Sequence, residues 1–195
     1  MNLFDELVIY NKKRSTFSVN PYKFALWLFM GTIVMMFVAL TSAYIVKQSY
    51  GDWLNFKLPN ILWLNSLVII IGSITMHLAY FFSKKKNIKL FNLFIFLTFL
   101  FSIIFLFGQY EVWKYLIGND IYFVGNPSGS FLYIFIGLHG VHFLSGIIIL
   151  TFIWFLVLKN GINKKVIFKI QMCITYWHFL GGLWLYLFFF LIINH

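Results

Sequence analysis

Of the 195 residues, 62% are hydrophobic, 23% aromatic and only 10% charged, whereas a soluble domain carries about a quarter of its residues charged. An ordinary water-soluble globule is excluded, and the chain belongs in a membrane. The formal net charge of +10 would suggest nucleic-acid binding on a soluble domain, so its distribution along the chain decides what it means.

Residues 1–23 carry Asp5, Glu6 and the basic run Lys12, Lys13 and Arg14. They lack the short apolar stretch and small-residue cleavage site of a secretory leader, so this segment is expected to be cytoplasmic and the first apolar run to serve as an uncleaved anchor. Apolar runs follow at about 24–46, 61–82, 90–107, 130–156 and 172–193. Each is long enough to cross about 30 Å of hydrocarbon as a helix. The expected architecture is all-α, a single membrane domain of five transmembrane helices over residues 1–195. Asn92 near the start of the third run, and Gly108 and Gln109 after it, set that run's limits. The stretch from Gly108 to Gly129 is rich in turn-forming residues and is expected to be a non-helical outer connection. Glu111 and Asp120 are read as its solvated charges.

Twelve of the fifteen basic residues lie in alternate segments, at Lys12, Lys13, Arg14 and Lys23, at Lys84, Lys85, Lys86 and Lys89, and at Lys159, Lys164, Lys165 and Lys169. The positive-inside rule puts these in the cytoplasm, with the N-terminus inside and the C-terminus outside. The opposite side holds Lys47, Lys57 and Lys114 with Asp52, Glu111 and Asp120. The basic charge is therefore a topology signal with a secondary attraction to anionic lipid, and no nucleic-acid partner is expected. The single cysteine, Cys173, excludes a disulfide framework within the chain.

No Asp, Glu, Lys or Arg interrupts the five runs, but His77, His139, His142 and His178 lie inside them. An ionisable group in lipid is costly and raises the question of function. In the fifth run His178, Gly181, Gly182 and Leu185 share one helix face, and in the fourth His139, His142 and Gly146 do; Asn65, Gly72 and Ser73 mark the second. Small and polar residues of this kind let membrane helices approach and hydrogen bond, so these faces are expected to point inward. Trp177 and Trp184 flank the His178 face and suit the same contact, while the other tryptophans suit interfacial anchoring.

Three readings of the histidines compete. His77 and His178 lie at similar depth, roughly 8–10 Å from the cytoplasmic side at 1.5 Å per residue, so a bis-histidine haem would make the chain a small b-type cytochrome. His139 and His142 share a helix and could hold a smaller metal only with a third ligand. A standalone carrier is the second reading, although the runs lack the acidic and arginine residues that usually mark a transport path. In the third, each imidazole hydrogen bonds to a neighbouring helix and fixes packing.

Several stretches, in order and at matching spacing, resemble subunit III of the haem-copper terminal oxidases, the cytochrome c oxidase and quinol oxidase family. Ser130-Phe131-Leu132-Tyr133 followed by Gly137-Leu138-His139-Gly140-Val141-His142 and Gly146 resembles the fourth helix of its five-helix bacterial form. Tyr176-Trp177-His178-Phe179-Leu180 resembles a signature of the last helix. Leu62-Trp63-Leu64-Asn65 with Thr75-Met76-His77 is similar to the second helix, and Trp27-Leu28-Phe29 through Tyr44 to the first. The resemblance implies a non-catalytic subunit of a bacterial inner-membrane oxidase, which reduces oxygen to water and couples this to proton translocation. Its partners would be subunit I directly, the other oxidase subunits, and phospholipid held in a cleft. No cofactor or metal would reside in this chain, since haem and copper lie in partner subunits. His77, His139, His142, Gly146, Trp177, His178, Gly181 and Gly182 would then be interhelical or lipid-facing structural residues. The chain departs from the family where a Ser-Glu pair commonly stands, here Thr32 and Ile33, and where an acid often follows the last-helix signature, here Gly181. Carboxylate roles at those positions do not carry over.

Overall fold

The computed structural model describes residues 20–51, 53–54 and 56–194. The expectations for Asp5, Glu6, Lys12, Lys13, Arg14 and Asp52 lie outside the described residues. Among those described there are five helices and no strand: α1 (Pro21–Gln48), α2 (Ile61–Lys84), α3 (Ile88–Gly118), α4 (Pro127–Asn160) and α5 (Lys164–Asn194). Each is long and apolar enough to cross a membrane.

Asparagine sets most of the helix starts. A helix leaves its first amide hydrogens without partners, and a short side-chain oxygen at the cap position satisfies one of them. Asn20 accepts from Tyr22 N at 3.1 Å, Asn87 from Leu90 N at 3.2 Å, Asn126 from Ser128 N at 3.0 Å and Asn163 from Val166 N at 2.9 Å. Pro21 and Pro127 follow two of these caps, where their missing amide hydrogen costs nothing. Asn126 also accepts from Leu54 N at 3.3 Å, tying the α1–α2 connection to the start of α4.

α5 is the hub of the bundle. It packs on α1, α2 and α4, while α3 packs on α2 and α4, and among the described residues α1 touches only α4 and α5. Hydrophobicity does not drive helices together in lipid, so polar clasps and close packing must hold these contacts. Thr75 and Thr98 join α2 to α3 at 2.9 Å. Ser145 and the Tyr176 hydroxyl join α4 to α5 at 2.8 Å, and Thr41 and the Tyr186 hydroxyl join α1 to α5 at 3.1 Å. At the far end of α1, Tyr44 packs against Trp53, Phe131 and Phe190 with ring centroids 4.6, 5.6 and 5.2 Å away.

The third helix corrects the sequence expectation at its outer end. Gly108 and Gln109 do not terminate it, and α3 continues to Gly118, leaving only residues 119–126 as connection. Within hydrocarbon the backbone has no water to bond, so a glycine that would loosen a helix in water leaves it intact here. Gly108 is instead a crossing point, where an added Cβ would overlap the Asn65 amide of α2. Glu111 is accordingly a helix residue, paired with Lys114 at 2.9 Å. Gly108→Leu should destabilise the fold by about 1–3 kcal/mol through overpacking, while Gly140→Leu, with open space around its Cβ position, should leave it nearly unchanged. Thermal unfolding in detergent followed by circular dichroism compares the two.

Candidate functional site: the intramembrane histidines

The four histidines occupy three different environments. His139 on α4 is 1% exposed, in the middle of the bundle. Its ring stacks on Trp184 of α5 at 5.1 Å and 21°, and meets Phe105 of α3 edge-on at 5.7 Å. Neither of its ring nitrogens has a hydrogen-bond partner among the described residues. Trp184 is 2% exposed, and its indole N–H donates to Ser66 Oγ on α2 at 3.1 Å. One stack thus joins α2, α3, α4 and α5. Close by in sequence to its members, Asn65 and Gln109 are also buried.

His142 is one turn along α4, half-buried. Its Nδ1 lies 2.7 Å from Leu138 O, so the ring donates to its own helix. The ring faces Phe37 of α1 at 6.1 Å. The backbone carbonyl of His142 accepts from Ser145 Oγ at 2.6 Å and from the Tyr176 hydroxyl at 3.3 Å. Beside it Gly146 lets Leu180 and Trp177 close on α4; a Cβ at Gly146 would stand 3.0 Å from Leu180 Cδ1. Trp177 is buried and packs on Phe143 at 5.2 Å. His142, Gly146 and Trp177 therefore lie where α4 meets α5.

His77 and His178 do come together, as their matched depth suggests. Their ring centroids are 5.8 Å apart across α2 and α5, and His178 Nδ1 hydrogen bonds with Ser73 Oγ. His178 lines an open groove of about 310 Å³ whose walls also include Ile70, Ile74, Gly181 and Leu185, and His77 stands against its ring. His77 itself is exposed, and so is Gly182, whereas Gly181 is buried against Ile69. The inward face expected of the fifth helix thus turns partly outward: Gly181 faces α2, and Gly182 opens between α2 and α1. Successive residues of a helix differ by about 100°, so Gly181 can press on α2 while Gly182 points off that contact.

The two positions where the sequence departs from the resembled family are equally clear. Ile33 is 3% exposed in the apolar core, and Thr32 is exposed with its hydroxyl donating to Phe29 O at 2.7 Å. Among the described residues no three His, Cys, Asp or Glu side chains gather as a metal ligand set. Cys173 is buried and free. The Trp184–Ser66 and Thr75–Thr98 clasps were not singled out from the sequence. Their signal was present, in hydroxyl residues recurring on the inward faces of otherwise apolar helices.

This is a polytopic helical membrane protein whose polar side chains join one helix to the next. No protein-family model matches the chain. It is similar to the probable quinol oxidase subunit 3 of Staphylococcus saprophyticus, 28% identical over 87% of each chain. It is also similar to the cytochrome bo(3) ubiquinol oxidase subunit 3 of Buchnera aphidicola from Acyrthosiphon pisum, 26% identical over 99% of this chain and 97% of the relative. A third relative, the same subunit from the Schizaphis graminum strain, is 26% identical over 90% of this chain. The resemblance to subunit III of the haem-copper oxidases is borne out, and the chain is a multi-pass bacterial membrane protein homologous to these third subunits.

Ser66→Ala should cost about 1 kcal/mol by stranding the Trp184 indole N–H. His139→Phe, which keeps a flat ring in the stack and removes nitrogens that bond to nothing described, should cost less than Ser66→Ala. Melting of the purified variants in detergent measures both, and a steep loss for His139→Phe would mean that the imidazole is hydrogen bonded.

Proposed function

We propose that the chain is the accessory subunit III of a bacterial haem-copper terminal oxidase, the complex that reduces oxygen to water and couples this to proton translocation. The observation that carries this reading is similarity to named oxidase third subunits across nearly the whole chain, in a bundle of five membrane-crossing helices. All three relatives are named as quinol oxidase subunits, which favours quinol as the electron donor of the complex.

In this reading the subunit carries no redox centre. It packs on the catalytic subunit I, which holds the haem and copper, binds phospholipid, and supports the working lifetime of the assembly. What supports a structural part for the buried histidines is their surroundings. His139 is locked in an aromatic stack and His142 bonds to its own helix. A b-type cytochrome is not favoured, since the His77–His178 rings sit at a shallow groove beside directly packed helices. At the two positions where the resembled family places acids, Ile33 and Gly181 leave no carboxylate to gather protons. The basic ends of the helices, with Lys23 over Phe168 and Lys169 over Phe152, suit the cytoplasmic face, which supports an N-terminus inside.

Affinity purification of the tagged chain in mild detergent tests the reading. A haem-containing subunit with quinol oxidase activity should accompany it, and His178→Ala should shorten turnover lifetime or lower assembly while leaving the haem absorbance of the assembled complex unchanged. Recovery of the chain alone, or a changed haem spectrum in the variant, would overturn it.

A further inference from the structure

We propose that His77 and His178 form a two-imidazole binding site for a divalent transition ion of the zinc class at the α2–α5 groove. Three observations on different groups converge. The ring centroids are 5.8 Å apart, and two imidazoles sharing one zinc at ~2.0 Å per nitrogen place their centroids about 5–6 Å apart. His178 Nδ1 is engaged by Ser73 Oγ; with Nδ1–H donating to that oxygen, Nε2 carries the lone pair. A fixed outer hydrogen bond of this kind is the partner that orients a metal-binding histidine. His77 has no hydrogen-bond partner among the described residues and is exposed, so its imidazole can turn to share a ligand.

The chemistry of the donor set selects the ion. Both donors are neutral nitrogens and the nearest oxygen is a serine hydroxyl, which disfavours calcium and magnesium with their need for several oxygen ligands. Imidazole suits zinc, copper and nickel. The remaining coordination positions would be taken by water reaching the pair from the Lys84 end of α2. His77 lies seven residues before Lys84, the last residue of α2, a rise of about 10 Å, so the aqueous phase is within two to three helix turns. A bound ion would tie α2 to α5 at a point where they now share only the Ser73–His178 hydrogen bond and van der Waals packing.

The test uses the full chain as purified from membranes, with whatever partners accompany it. After dialysis against chelator-free zinc buffer, zinc per chain is measured by elemental analysis and its ligands by zinc K-edge absorption. The wild type should hold one more zinc than His77→Ala, and the difference spectrum should show two imidazoles. Ser73→Ala should weaken binding by about ten- to a hundred-fold. His142→Ala should retain the zinc. Because His77 is exposed, His77→Ala does not disturb packing, and the result survives even if His178→Ala fails to assemble. Equal zinc in the wild type and His77→Ala, absence of zinc from both, or its loss in His142→Ala would overturn the site.

Discussion

Inside hydrocarbon a polar side chain must find its partner within the protein, and this constraint organises the bundle. Apolar surface gains nothing by moving from lipid to another helix, so the contacts rest on packing and on hydrogen bonds that average only about 0.6 kcal/mol each. Among the described residues such bonds stand at four of the six helix contacts. α5 supplies most of them, through Tyr176, His178, Trp184 and Tyr186. That helix is the hub because it carries polar groups at intervals around its circumference, each aimed at a different neighbour.

Aromatic residues do the rest of the filling. The His139 ring behaves as one more flat ring in a column with Trp184 and Phe105. Offset and edge-on ring pairs contribute about 0.5–1.5 kcal/mol beyond the area they bury. An imidazole in that position is therefore explained by shape as well as by polarity. The same principle accounts for Tyr44, whose aromatic neighbours Trp53, Phe131, Phe135 and Phe190 come from the α1–α2 connection, α4 and α5.

Much of this was legible in the sequence, because hydrocarbon imposes length and composition so strictly that five crossings can be read from apolar runs. Depth counting also paired His77 with His178, since rise per residue is fixed and both histidines lie at measurable distances from basic helix ends. Other features were hidden. Gly108 read as a terminator because its role depends on Asn65, a residue 43 positions earlier in the chain, whose amide fills the space a side chain would need. The opposite fates of Gly181 and Gly182 follow from the rotation of α5 against two partners, which a single-helix pattern does not contain. The Trp184–Ser66 bond spans 118 residues and no local spacing announces it.

Among the described residues α1 meets only α4 and α5, and its clasp to Tyr186 reaches 145 residues along the chain. At about 5–20 residues per second, α1 waits in the bilayer for roughly 7–30 seconds before α5 arrives. It is built for that interval. Its two threonines satisfy themselves on their own helix, Thr32 on Phe29 O and Thr41 on Phe37 O and Val38 O, so neither of these hydroxyls needs α5 while the helix waits. The order of biogenesis is thus written into the first helix as self-sufficient threonines, while Tyr44 and Gln48 near its end wait for Asn194 O of α5.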